Sequence, residues 1–334
     1  MRDTDARVGA AGSSTTRGPT IGVDVGGTKC LGVVLDEDGT VIAEYRVPTP
    51  RAGDELVDAV GAVTDFLRDA ASLTRPAVGI GAPGLVDRHG SLRYAPNLPG
   101  VTELPMAASL RTGPLAGHDV VVANDATCAT WAEVTLGAAA GASDVVVATI
   151  GTGIGGGVVL GGRLVGGSHG FAGEIGHMVV DPSGPRCPCG QQGCWERYAS
   201  GSGLGRMARE AAHAGLARRV VELAGGDPES VRGEHVTVAA AEGDAEACAV
   251  MSRFAWWLAL GLANLSAVLD PEVFVLGGGM VEAGAVLMEP VREQFAALLE
   301  GGSHRPSVSI VAARLGERAG AIGAALLARG GAFW

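Results

Sequence analysis

The chain has 334 residues, 47% hydrophobic and 18% charged, and its 36 acidic and 25 basic side chains give a formal net charge of -11. That length can bury a sizeable core and fits two domains, while the negative balance speaks against a protein that holds nucleic acid by phosphate attraction. The 54 glycines beside 4% aromatics, with no G-X-Y period, point to tight turns and close backbone approaches rather than to a fibre.

Residues 1–18 mix Arg, Asp, Ser, Thr and Gly without an apolar stretch. They predict a disordered N-terminal extension with no secretory signal, and hence a cytoplasmic protein. Alternation then predicts strands over 20–25 and 29–35 joined by a Gly26-Gly27-Thr28 turn, and a third strand over 40–47. Leu56, Val57, Val60, Val63 and Leu67 at helical spacing predict a helix over 54–71, followed by a strand over 77–81. A short buried strand over 120–122 leads to Asn124-Asp125 and a helix over 126–136. The outline then begins again: a strand over 145–150, a glycine turn over 151–156, and a strand over 157–160 leading to Arg163 and Leu164. Helices over 203–214 and 244–269 follow, then a strand over 273–276, a Gly277-Gly278-Gly279 turn, a helix over 281–299, a strand over 307–312 and a helix over 318–328. The apolar run 254–269 is broken by Asn264 and Ser266 and is too short to span a bilayer, so it reads as a buried helix, with no membrane association. Two α/β halves, each opening on a glycine hairpin, are expected to face one another across a cleft.

Two glycine loops suggest phosphate binding. In Asp24-x-Gly26-Gly27-Thr28-Lys29 backbone N–H groups can turn toward an anion beside a hydroxyl and a cation, and Gly151-Thr152-Gly153 opens a similar loop in the second half. Neither is a Walker or Rossmann loop, and each alone fits an ordinary hairpin turn equally well. Asp24 could hold Mg²⁺ through water or simply cap the turn. The set His177-x9-Cys187-x-Cys189-x4-Cys194 is more specific: one imidazole and three thiolates complete a closed, structural Zn²⁺ site. Asp125, directly before a predicted helix, reads by itself as an N-cap.

The stretch from Gly170 to His177, the run from Cys187 to Glu196 and the Asp24 and Gly151 loops together resemble the ROK family of sugar kinases, and within it the bacterial ATP-dependent glucokinases. The likeness runs from about Thr20 to the C-terminus. It implies a two-lobed α/β fold of the actin-like, ribonuclease H-like ATPase type, with sugar and ATP in the interdomain cleft. It implies Asp125 as general base, Asn97, Asn124, Glu174, His177 and Glu196 as sugar contacts, and Gly27, Thr28, Lys29, Thr152 and Gly153 as phosphate contacts. Gly277, Gly278 and Gly279 fall at the adenosine side. His177 would serve both zinc and sugar through its two ring nitrogens.

The expected domains are 19–124, completed by a C-terminal helix over 317–334, and a larger 125–316 domain carrying the zinc loop. The expected reaction is ATP-dependent phosphorylation of a hexose, glucose before others, with ATP, Mg²⁺ and structural Zn²⁺, in a homodimer or homotetramer that binds no nucleic acid. Two alternatives stay open: a kinase for N-acetylglucosamine, N-acetylmannosamine or fructose, and a sugar-sensing regulator of the same family. The net charge and the absence of a helix-turn-helix pattern in 1–18 speak against the regulator.

Overall fold

Val and Ile fill both predicted hairpins, and such β-branched residues suit a half-buried pleated surface. In the structure, a computed structural model that describes residues 18–96, 98 and 100–330, each hairpin becomes the centre of a five-stranded sheet. Most of the predicted extension, and Asn97, lie outside the described residues. The first half runs β1 (Thr20–Val25), β2 (Lys29–Leu35), β3 (Val41–Pro48), α1 (Gly53–Ala70), β4 (Val78–Ala82), β5 (Leu85–Val86), β6 (Leu92–Tyr94), β7 (Thr102–Leu104), α2 (Met106–Thr112), β8 (Val120–Asn124) and α3 (Asp125–Thr135). The second begins with β9 (Val145–Ile150), β10 (Ile154–Leu160) and β11 (Arg163–Leu164). It continues through α4 (Glu196–Ala199), α5 (Gly201–His213), α6 (Arg218–Leu223), α7 (Gly233–Ala241), α8 (Ala245–Leu269), β12 (Val273–Gly277), α9 (Ala285–Leu298), β13 (Ser309–Ala312) and α10 (Ala319–Ala328).

The sheets repeat one topology. Strand order is β3-β2-β1-β4-β8 in the first and β11-β10-β9-β12-β13 in the second, with three antiparallel strands at one side and two added parallel strands at the other. Parallel pairing forces a crossover segment between strands; α1 fills that role in the first half, where Leu56, Val60, Val63 and Leu67 are fully buried. In the second, α8 lays Phe254, Leu258 and Leu262 into the core, so this long apolar helix is a packed one, as its sequence predicts.

Two helices cross between the halves. Helix α3 closes the first half in sequence yet packs on β9 and β10, while α10 closes the second and packs on β1, β2 and β4. Backbone contact permits this. A Cβ on Gly79 would stand 1.8 Å from the Ala324 carbonyl oxygen, and one on Gly323 would stand 1.7 Å from that of Cys128. Only glycine fits at either place.

Three differences from the expected elements have local causes. Strand β10 starts at Ile154, because Gly155 and Gly156 pair with Thr149 and Ala148 of β9 despite lacking side chains. The helix expected over 281–299 is a 3₁₀ turn, Gly279–Ala283, then α9; Gly284 at φ +60° divides them. The small sheet β5-β6-β7 and helices α2, α6 and α7 carry no strong apolar period, and β6 buries only Leu92.

Candidate active site

A cleft of about 730 Å³ is lined from both halves. Asp24 is the penultimate residue of β1, Asn124 ends β8 and Asp125 opens α3 on one side; Gly151, Thr152, Gly153, Glu174, His177, Glu196, Gly277 and Gly278 come from the other.

The start of α3 divides its work between two neighbours. Asn124, in extended conformation, is the N-cap: its Oδ1 accepts the Thr127 N–H at 3.0 Å and its Nδ2 donates to the Gly84 carbonyl at 3.1 Å. Asp125 is therefore the first helical residue rather than the cap, and its carboxylate accepts the adjacent Ala126 N–H at 2.8 Å. Loss of water around it, reinforced by the negative charge of Glu174, lifts the Asp125 carboxyl to about 6 against the pull of that N–H. Asp24 is lifted further, to about 7, by burial and then by Asp125, with Lys29 opposing. Its Oδ1 is buried without a hydrogen-bond partner. An orphaned buried carboxylate oxygen beside a second carboxylate fits a hard divalent cation, which would satisfy both.

The cysteine loop is built by a short antiparallel closure. Val179 bridges Cys194, Arg186 bridges Gln192, and the Trp195 N–H donates to the Met178 carbonyl at 2.8 Å, so the segment after His177 folds back beside it. Gly190 and Gly193 make the reversals at φ +97° and +74°. One ligand atom from each of His177, Cys187, Cys189 and Cys194 lies within 4.8 Å of the others. The Cys189 and Cys194 sulfurs are 3.6 Å apart, and Cys187 Sγ is 3.8 Å from His177 Nδ1. Metal–sulfur bonds of ~2.3 Å in a tetrahedron give edges of about 3.8 Å, so the cluster has the size and donor set of a zinc site. His177 Nε2 turns the other way, 3.8 Å from Glu174 Oε2. Burial raises the Glu174 carboxyl, with His177 opposing and Glu196 adding to the shift.

Glu196 joins two loops. Its Oε1 accepts from the Cys187 thiol at 3.2 Å, and its Oε2 accepts the Ile154 N–H at 3.4 Å, beside the glycine loop. The Gly201 N–H donates to the Gly151 carbonyl at 2.8 Å, holding that loop on the start of α5. Gly278, at φ +82°, seats the Gly277-Gly278 turn on the Ile150 carbonyl.

The first hairpin stands differently. Gly26, Gly27, Thr28 and Lys29 are not among the residues lining the cleft, nor is Gly279. Gly27 and Thr28 are exposed, and the Lys29 ammonium pairs with Glu317 at 2.5 Å. Two residues escaped the sequence reading. Trp195, between a candidate ligand and Glu196, is fully buried with its Nε1 on the Trp257 carbonyl at 2.8 Å and its ring against Gly261, anchoring the loop to α8. Glu133, on α3, is buried at the cleft wall. A charged residue on an otherwise apolar helical stretch was the signal for it.

The model of the ROK family matches residues 20–330. The chain belongs to the ROK family. A Streptomyces coelicolor glucokinase is 42% identical over 93% of this chain and 98% of its own length, and a Thermotoga maritima glucokinase is 36% identical over 91% and 95%. The crystal structure of a ROK family glucokinase from Streptomyces griseus in complex with glucose and AMPPNP superposes with a TM-score of 0.81 at 40% identity, covering 94% of this chain and 100% of that one. The repeated sheets and the cleft between them are thus the two-lobed actin-like fold of ROK sugar kinases.

Proposed function

We propose that this ROK protein transfers the γ-phosphoryl group of ATP to the 6-hydroxyl of glucose. The observation that carries the reading is Asp125: a carboxylate released from capping by Asn124, raised to about 6, facing a cleft that also holds Glu174, His177 and Glu196. It is a sugar kinase by its near full-length similarity to bacterial glucokinases, one of which binds glucose and an ATP analogue.

Phosphoryl transfer asks for positioned reactants and charge neutralisation rather than covalent help. Asp125, ionised near neutral pH, takes the proton of the attacking hydroxyl, and a base with a pKa close to working pH suits that task. Glu174 and Glu196 accept sugar hydroxyls, and His177 Nε2 offers a further polar contact. Backbone N–H groups of Thr152 and Gly153 take the phosphates, while that of Gly151 closes the turn on the Gly153 carbonyl at 3.0 Å. Mg²⁺, when bound, would sit by Asp24 and neutralise phosphate charge. Zn²⁺ would be held by His177 Nδ1, Cys187, Cys189 and Cys194 and would keep the sugar loop in shape. The 19–124 and 125–316 division, with α10 completing the first lobe, and a homodimeric or homotetrameric state belong to the same proposal.

The test is a matrix of sugars (glucose, N-acetylglucosamine, N-acetylmannosamine, fructose) against donors (ATP, polyphosphate) on purified protein. Glucose with ATP is expected to give the highest kcat/KM. A higher value for another sugar would replace glucose, and no turnover with any pair would overturn the kinase reading.

A further inference from the structure

Glu133 is only 1% exposed, and all its hydrogen-bond partners among the described residues are backbone N–H groups. Oε1 accepts from Arg314 at 2.9 Å and Leu315 at 2.8 Å; Oε2 accepts from Ala138 at 2.7 Å and again from Arg314 at 3.1 Å. Burying a carboxylate is costly unless such donors compensate it, so the arrangement needs a reason beyond packing. The donors at 314 and 315 belong to the strap joining β13 to α10. Ala313, Gly316 and Glu317 of this strap, and Ala319 and Gly320 where it enters α10, line the cleft.

The strap spans one side of the cleft. At its start Ala313 Cβ lies 3.3 Å from where a Cβ on Gly277 would stand, and at its end Gly320 lies so close to Asp24 that a Cβ there would be 2.6 Å from the carboxyl carbon. It thus connects the Gly277 turn with Asp24, the groups assigned above to the nucleotide and its metal. Lys29 and Arg46 also reach it through Glu317, but these groups are 43% to 51% exposed, and exposed pairs contribute little. The buried anchor is Glu133.

We propose that Glu133 is a positioning residue for the phosphate donor: it fixes the strap to the helix that begins with Asp125, and so sets the distance between the nucleotide's seat and the general base. The inference rests on the ATP-dependent kinase reading. The sugar side, carried by Glu174, His177 and Glu196, stands on other segments and is not tied to the strap.

The experiment compares wild type, Glu133→Gln and a control, Val250→Ala, a core truncation on α8 chosen to give a similar loss of Tm. Calorimetry reads glucose and AMPPNP affinities separately, and steady-state assays read kcat and the KM for ATP. Misplacement by about 1 Å can cost ~10²-fold in rate. Glu133→Gln should weaken AMPPNP and lower kcat by at least ~10-fold while glucose affinity stays within about 2-fold; Val250→Ala should leave all three near wild type. Equal changes in the two variants, or parallel loss of glucose and AMPPNP affinity in Glu133→Gln, would reduce Glu133 to a stabilising residue and overturn the proposal. Should Glu133→Gln not fold, Glu133→Asp serves in its place, since it keeps the carboxylate but shortens its reach to the Arg314 and Leu315 N–H groups. A wild type without kinase activity would refute the functional reading by itself, and the AMPPNP measurement would still judge the role of Glu133.

Discussion

The two glycine hairpins occupy the same place in sheets of the same topology, yet they share almost no chemistry. Between β1 and β2 the turn is exposed, flanked by Asp24 and Lys29, and its cation is engaged by Glu317. Between β9 and β10 no charged residue stands from Ile150 to Gly157; bare backbone lines the cleft, held from outside by the Glu196 carboxylate and the Gly201 N–H. The first hairpin of this repeated scaffold thus carries charge, and the second carries none. Both aspartates of the cleft, Asp24 and Asp125, follow strands of the first sheet, so chemistry should concentrate there and positioning across the cleft.

The strongest way to break this division is Asp125→Asn. It is expected to lower kcat by ~10²–10⁴-fold, the range of general-base catalysis, while calorimetric glucose affinity stays within a few-fold; near wild-type turnover would remove the base from the charged half. Next in size is Cys189→Ala on the opposite side. Metal analysis should show zinc lost and assays should show the sugar KM raised by up to ~10²-fold through loop displacement, with AMPPNP affinity unchanged. Zinc-free protein that binds glucose like wild type would sever the loop from the site. Gly153→Ala should act more gently, since its Cβ would meet Glu196 Oε2 at 2.6 Å, the movable end of a side chain. A several-fold rise in the KM for ATP is expected, and a loss as large as that of Asp125→Asn would show that the second hairpin does more than position.

The smallest effect is a pH signature. Asp125 has its carboxyl raised from 3.8 to about 6, so the folded chain holds that proton more tightly than the unfolded one. The stability this group contributes is complete at pH below about 4 and is lost as pH rises through about 6. Activity needs the ionised form and moves oppositely, falling as pH drops through the same region. Relative to wild type, Asp125→Asn should therefore gain in Tm between about pH 4 and about pH 6 and stay level above that; a difference that is constant across this window would mean that Asp125 titrates at an ordinary value.

Features fixed by local pattern were readable from the chain. Apolar alternation marked β1, β2 and β9, and the Cys-x-Cys spacing with His177 marked the loop whose ligand atoms converge. Features decided by competition or by distant contact were not. Asn124 and Asp125 both carry oxygens suited to a cap, and only the extended backbone at Asn124 assigns the duty. Glu133 meets Arg314 and Leu315 about 180 residues further along the chain, and Trp195 is a core anchor because Gly261 leaves room for its ring. The β5-β6-β7 sheet was missed because strands of two or three residues show no period.

The crossing of α3 and α10 also bears on how the chain is made. The face of the first sheet that α10 covers, with Gly22 and Gly79 pressed on its backbone, is built from residues synthesised within the first quarter of the chain, whereas its cover ends at Ala328. On the ribosome that apolar face must wait until α10 has been made. The first half therefore cannot finish folding ahead of the second, and a contact of such long sequence separation makes folding slow and the unfinished sheet prone to aggregation. Nascent chains stalled shortly before residue 319 should consequently be held by chaperones to a degree that chains released after residue 330 are not.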